Sequence, residues 1–385
     1  MQNGLQTRPV RASRTRPFTP PPAPSRTHRG EPMTSHPTRR LRALATATAL
    51  TASIALLAGC ASSSGSADTG STDSAALTPI TLQTSWIPLV QFGGSYVADS
   101  EGYYAENGVD VDILPGGPDV DSMAAVASGQ ADIGMANADT VARANEQGAD
   151  LVIVAAGFQK NPLAILSSPD NPITTPADME GKKIGVPAGD EAAQDALMEV
   201  NGVDASKVST VPVGFDVAPL VSGEVDGLWV FYSEQPISYE ESTGKEGTVF
   251  LTADYGLDVY AQVYAVTRAS LEDPEKKAAI EGFLKGEIEG WQNYVADPTE
   301  AVELTVNDYA KDGGLTIEEQ TKQAALQMDL LVTPETEANG LLTISDEGIK
   351  NNIATLTTLG ITGVDESLFD TSLLTDIYAG GNTIG

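Results

Sequence analysis

Trp86 and Trp229 each fall near the carboxyl end of an apolar run that reads as a strand. Facing each other across a cleft, the two indoles could hold a flat ring, each stack contributing about 0.5–1.5 kcal/mol beyond burial. The competing reading makes one or both core residues, and Trp291, inside a long helical run, reads as packing. Other candidates gather at the same kind of place. Gln91 and Phe92 follow Trp86 in a glycine-bearing turn, and Tyr96 sits at the start of the helix after it. Gly116-Gly117 is either a backbone nest approaching a ligand or a plain turn. Asn137 and Asp139 stand where a third strand ends, suited to amino or ring-nitrogen groups, although Asp139 equally suits a helix N-cap. Phe158 and Gln159 end a fourth strand. Further on, Asp190 at a helix start, Phe215, Tyr232 and Glu234 hold corresponding places. Tyr232 would close as a ring and Glu234 as a hydrogen-bond acceptor, unless Glu234 is an exposed surface carboxylate.

Composition limits the chemistry further. Residues 39–42 (Arg-Arg-Leu-Arg) lead into an apolar run over 43–58 that ends at Leu57-Ala58-Gly59-Cys60. A charged stretch, a short apolar core and a small-residue exit describe an export signal, too short for a comfortable membrane span. Leu57-Ala58-Gly59-Cys60 resembles the bacterial lipobox, which implies cleavage before Cys60 and two acyl chains on it, enough for stable anchoring. A start at Met33 would give a better-proportioned signal than Met1. Cys60 is the only cysteine, and both histidines, His28 and His36, precede it. The expected mature chain therefore has no histidine and no free thiol, which excludes Ser-His-Asp and Cys-His catalysis and every His- or Cys-ligated metal site. Nine of 22 basic and one of 53 acidic residues lie in 1–60, leaving 13 against 52, about −39. Nucleic acid or an anionic membrane surface is a poor partner for such a chain.

Strand-like and helix-like runs alternate from 80 onward, the signature of βαβ units around a parallel sheet. A first series runs to about 168 and a second begins near 175, and helices dominate after 271. The expected layout is a signal at 1–60, a flexible Ser/Gly-rich tether at 61–78, and the first part of lobe 1 at 79–168. Lobe 2 covers 169–262, and a return strand with a helical tail packing on lobe 1 covers 263–385. Crossing strands near 163–168 and 260–267 would let the two lobes hinge about a cleft.

Several pieces carry a family resemblance: Trp86 with Gly94-Ser95-Tyr96 and Glu101-Gly102-Tyr103-Tyr104, then Pro115-Gly116-Gly117-Pro118-Asp119-Val120 and Ser128-Gly129-Gln130-Ala131-Asp132. Phe158-Gln159-Lys160-Asn161-Pro162, Asp178-Met179-Glu180-Gly181-Lys182-Lys183-Ile184-Gly185-Val186 and Gly223-Glu224-Val225-Asp226-Gly227 continue it. In this order and spacing, over about 80–300, the chain resembles the thiamine-pyrimidine-synthase-like solute-binding proteins. That resemblance implies a type II periplasmic-binding-protein α/β fold and an extracytoplasmic receptor handing ligand to an ABC permease and its ATPase. Ligands of that group include sulfonates, nitrate, thiamine pyrimidine precursors and riboflavin. The Pro-Gly-Gly-Pro-Asp-Val and Phe-Gln-Lys-x-Pro pieces look most like the branch that binds aromatic vitamin precursors, although Leu89 and Phe92 stand where that branch often has Asn and His.

The expectation is thus a monomeric lipoprotein receptor for a small aromatic heterocycle, with no cofactor, no metal and no catalysis. Only Arg143 and Arg268 remain after Cys60, neither at a strand end, which leans away from sulfonate or nitrate, since such anions usually recruit Arg. A small-anion receptor is the alternative, a carboxylate-dependent hydrolase a remote one, and a surface scaffold a third.

Overall fold

Runs such as Leu-Val-Ile-Val-Ala-Ala-Gly-Phe at 151–158 have no polar face, so they suit strands covered on both sides, and a computed structural model of the chain shows this arrangement. It describes residues 76–383. The expected signal with Cys60, and nearly all of the tether, lie outside the described residues. Ten strands form two five-stranded sheets there. The first sheet contains β1 (Thr78–Gln83), β2 (Val109–Leu114), β3 (Ile133–Ala136) and β4 (Leu151–Phe158). The second holds β5 (Leu163–Ser167), β6 (Lys183–Pro187), β7 (Ser209–Val213), β8 (Gly227–Phe231) and β9 (Thr248–Leu251). The last strand, β10 (Ala261–Thr267), returns to the first sheet.

The sheet orders are β2-β1-β3-β10-β4 and β7-β6-β8-β5-β9. β1 runs parallel to β2 and β3, while β10 inserts antiparallel between β3 and β4. In the second sheet β6 is parallel to β7 and β8, and β5 is antiparallel to β8 and β9. Strand β5 is therefore a full member of the second sheet, where the sequence suggested a crossing strand. The chain crosses at 159–162 and again at 256–260. These crossings lie side by side, with the Asn161 N–H donating to Asp258 Oδ1 at 2.9 Å and Lys160 paired with Asp254 at 2.7 Å.

The helix expected to start at Tyr96 is two short ones, Gly93–Ser100 and Tyr103–Glu106, because Gly102 takes φ +80° between them. Helix Gln235–Thr243, which the sequence reading left out, is opened by Pro236 and closed by Gly244 at φ +69°. After β10 the chain is helical, and its longest helix is Pro274–Ala296. This helix crosses Gly93–Ser100 and Tyr103–Glu106 through Gly282, Gly286 and Gly290, four residues apart on one face. A Cβ on Gly290 would lie 2.1 Å from the Gly94 carbonyl, and one on Gly94 would lie 2.2 Å from the Trp291 ring.

Beside that seam the fully buried Glu287 carboxylate accepts from Ser95 Oγ and Tyr264 Oη at 2.6 Å each and from Trp291 Nε1 at 2.9 Å. Tyr104 Oη donates to its other oxygen. Four donors from two helices, a strand and its own helix thus satisfy one buried acid without a cation. Replacing Gly290 by Ala forces these backbones apart, so its urea midpoint should fall by the equivalent of roughly 1–3 kcal/mol with an unchanged m value. Equilibrium unfolding checks this, and an unmoved midpoint would mean that the seam has slack.

Candidate ligand-binding cleft

Parallel strands deliver their carboxyl ends, and the turns after them, to one edge of a sheet, where ligands collect in open α/β folds. Here the ends of β1 and β3 in the first sheet meet those of β6 and β8 in the second. They enclose a cavity of about 430 Å³ lined from both sides. Trp86 follows β1, Asn137 follows β3, Asp190 follows β6 and Phe215 follows β7. Trp229, Phe231 and Glu234 come from the end of β8 and the turn after it.

The half-buried Trp86 ring meets the 52 % exposed Phe215 ring edge-on, with centroids 5.4 Å apart and planes at 68°. Trp229 is buried and donates its indole N–H to Gln194 Oε1 at 3.1 Å, so its polar atom is engaged behind the wall it forms. Phe231 backs onto the core through Phe158, 6.2 Å between centroids. Gln235 accepts from the Phe231 N–H at 2.8 Å and fixes the strand end.

Gln91 lines the cavity from a single 3-10 turn, Val90–Phe92, whose backbone is held by three buried glutamines. The Val90 N–H donates to Gln320 Oε1 at 2.8 Å, while Gln327 Nε2 donates to the Val90 carbonyl at 3.0 Å and Gln262 Nε2 to the Gln91 carbonyl at 2.8 Å. Gln262 does this from φ +51°, an uncommon conformation for a residue with a Cβ.

Carboxylates supply the polar side. Burial first, then the neighbouring Glu319, pushes the Glu234 pKa up to about 7. Burial, with Asp139 and Glu191 nearby, pushes Asp190 up to about 6. Asp121 is already committed as N-cap of Ser122–Ala127, accepting from the Ala124 N–H at 2.9 Å. No Lys or Arg lines this cavity.

Eight expected site residues lie elsewhere. Phe92 and Tyr96 are buried in the first-sheet core, Tyr96 stacked on Tyr309 at 3.8 Å. Phe158 is core behind Phe231. Gly116 is a bracing turn: its N–H reaches Trp86 O at 3.0 Å and Thr84 Oγ1 at 2.9 Å, and a Cβ there would lie 2.3 Å from the Thr84 carbonyl. Gly117 follows in the same turn, so this pair braces Trp86 and lines neither this cavity nor the neighbouring one. Gln159 spends its side chain on the Ala156 and Thr343 carbonyls. Tyr232 packs against the cores, with its N–H on the Pro162 carbonyl at 2.8 Å. Asp139 lines a neighbouring cavity, described below. Residues that the sequence reading passed over include Asp121, Gln194 and Gln235. An Asp-Ser pair opening a helix after β2 was the available signal for Asp121.

The family described as NMT1/THI5 like matches residues 90–301, more than half of the chain. The chain belongs to this family. It is 25% identical over 240 residues to the formylaminopyrimidine-binding protein of Halalkalibacterium halodurans, covering 61% of this chain and 72% of that one. It is 27% identical over 261 residues to the riboflavin-binding protein RibY of Chloroflexus aurantiacus, covering 65% and 72%. A 4-amino-5-hydroxymethyl-2-methylpyrimidine phosphate synthase of Legionella pneumophila is 24% identical over 232 residues, covering 58% and 72%. Among solved structures, the periplasmic aliphatic sulphonate-binding protein SsuA of Escherichia coli shares the fold, with TM-score 0.54 and 19% identity over 72% of this chain and 85% of that one. The fold is thus that of type II periplasmic binding proteins.

An acid whose pKa is raised on folding binds a proton more tightly folded than unfolded. The stability it allows is fully present below the unfolded value, near 4.5 for Glu, and is lost as pH rises to the folded value of about 7. Glu234→Gln should therefore unfold at the same urea midpoint as the parent near pH 4.5 and at a higher one above about pH 7. Urea melts across that range test it, and a pH-independent gap would show that Glu234 does not titrate inside the cleft.

Proposed function

We propose that this chain is the extracytoplasmic solute-binding lipoprotein of an ABC importer, and that it captures a small aromatic heterocycle by closing two hinged lobes. The observation that carries this reading is the cavity itself: Trp86 from one sheet and Phe215, Trp229 and Phe231 from the other surround it, with Glu234, Asp190 and the N-cap residue Asp121 as its ionisable groups. Rings on two separately mounted walls give a planar ligand more contact when the lobes approach. Carboxyl groups without a cation favour a ligand that donates hydrogen bonds, as an amino-substituted ring nitrogen heterocycle does. The names of the pyrimidine- and riboflavin-binding relatives support the same class.

A sulfonate or nitrate fits these walls poorly. No guanidinium reaches the cavity, and the helix Ser122–Ala127 that opens onto it has its first turn capped by the Asp121 carboxylate. The synthase relative raises the enzyme reading, but His36 is the last histidine and Cys60 the last cysteine of this chain, so the cavity is built without either. Residues 61–385 therefore support capture and release. Among the described residues no helix is long and apolar enough to cross a membrane, and Cys60 is the proposed anchor.

Tryptophan fluorescence titration with aminopyrimidines, riboflavin, taurine and nitrate tests the ligand class. One heterocycle should quench with a micromolar or tighter Kd, and Trp86→Ala should weaken it roughly tenfold. Binding of only taurine or nitrate would overturn the heterocycle and leave the receptor. In cells, Cys60→Ser should move the protein from the membrane fraction to the soluble or secreted one, whereas unchanged membrane association would remove the lipid anchor from the proposal.

A further inference from the structure

The aromatic cavity continues into a second one of about 590 Å³, with which it shares Asp121, Asn137, Thr140, Leu163 and Asp190. Asn161, Leu257 and Val259, drawn from both crossings between the lobes, line this second cavity, so the cleft reaches its own hinge.

Both crossings are held at fixed ends. In the first, the Gln159 N–H donates to the Leu330 carbonyl at 2.8 Å and its side chain to the Ala156 and Thr343 carbonyls, which ties this residue to the first lobe. By Pro162 the chain is committed to the second lobe. The Pro162 carbonyl accepts from the Tyr232 N–H at 2.8 Å, and Asn161 Oδ1 accepts from the Leu163 N–H at 2.9 Å. In the second crossing the Leu257 N–H is held in the second lobe by the Thr252 carbonyl at 3.1 Å. Tyr260 is tied to the first lobe, its N–H donating to Asn352 Oδ1 at 2.7 Å and its carbonyl accepting from the Ala138 N–H at 3.0 Å. Leu330, Thr343 and Asn352 all belong to the helical tail, which therefore fixes the first-lobe end of both crossings. Only residues 160–161 and 258–259 remain between the anchors, a length that suits a hinge.

One ammonium stands across this short gap. Lys160 Nζ lies 2.7 Å from Asp254 Oδ1. Asp254 sits in the turn Thr252–Tyr255, bound into the second lobe by Thr252 Oγ1 donating to the Leu163 carbonyl at 3.0 Å and by Asn201 Nδ2 donating to the Tyr255 carbonyl at 2.9 Å. Lys160 directly follows the first-lobe anchor Gln159, so rotation of the lobes about 160–161 changes its distance to Asp254. Asp258 of the second crossing faces the same ammonium and accepts from the Asn161 N–H at 2.9 Å. Neither Lys160 nor Asp254 lines either cavity. The arrangement in which they pair is also the one in which Trp86 of the first lobe meets Phe215 of the second.

We propose that Lys160 straps the hinge, holding the lobes in the arrangement that brings Trp86 against Phe215, and so sets the open–closed balance of the cleft without touching the ligand. This rests on the hinged-lobe part of the receptor reading and is independent of which ligand binds. The Lys160 side chain is 33 % exposed and that of Asp254 55 %, which limits the pair to a bias of a fewfold and leaves the hinge free to move.

Cys60 is the only cysteine, so the full chain with Cys60→Ser takes up labels only where cysteines are introduced. Ser128 and Asp195 are exposed and line neither cavity. Ser128 closes helix Ser122–Ala127 and Asp195 lies on helix Glu191–Val200, and these helices flank the gap from opposite lobes. With Ser128→Cys and Asp195→Cys carrying spin labels, dipolar EPR on the ligand-free protein reads the separation of the lobes. Lys160→Met should raise the population at longer distances roughly two- to fivefold. Asp254→Asn should act in the same direction to an equal or smaller extent, and combining the two should add nothing to Lys160→Met alone. Separations unmoved by Lys160→Met, or effects of the two substitutions that simply add, would overturn the strap. Fluorescence titration of the parent protein tests the receptor reading on its own, so either can fail without the other.

Discussion

The first lobe depends on one approach of two backbones too close for any side chain. Where Pro274–Ala296 crosses Gly93–Ser100, glycine faces the contact on both sides, and each Cβ added there would fall far inside van der Waals contact with its neighbour. That proximity lets the Glu287 carboxylate collect donors from Ser95, Tyr104, Tyr264 and Trp291 at once. A buried acid is expensive unless every lone pair is used, and here the seam supplies the geometry that uses them. The start of helix Gly93–Ser100 is fixed as a result, and with it the turn that carries Gln91 into the cleft.

The same turn is gripped from a second direction. Gln320 and Gln327 sit on helix Ile317–Leu331, two turns apart on one face, and hold both polar groups of the Val90 backbone. That helix lies beyond the stretch matched to the family, 90–301, yet it also brings Glu319 against Glu234 of the opposite wall. One tail helix therefore touches the site from both sides of the gap. The cleft is positioned by the tail as much as by the two sheets.

Charge sets the character of the cleft. The chain carries 53 acidic residues against 22 basic ones, and the acidic excess continues into the cleft as Asp139, Asp190 and Glu234. Away from water these groups lose hydration and hold protons more tightly, so a ligand that brings its own donors replaces solvent there at low cost. Aromatic residues make part of its wall apolar, and the acids make the rest polar.

Local pattern alone determined the alternation of strands and helices, the run of buried strands and the set of strand ends where Trp86, Asn137, Asp190, Phe215, Trp229 and Glu234 stand, because these follow from hydrophobic period and turn chemistry. It could not separate Phe92, Tyr96 and Phe158 from the wall residues. An aromatic side chain beside a strand end is equally stable in the core or the cavity, and only the neighbour across it decides. Nor could it find Gln194, Gln262, Gln320 and Gln327, since glutamine within a helix or strand usually reads as a solvated face. Each is buried here because a backbone group or an indole N–H, distant in sequence, needs its amide. The two contiguous cavities were likewise decided by tertiary structure, because their walls are drawn from segments far apart along the chain and exist only once both sheets and the tail have packed.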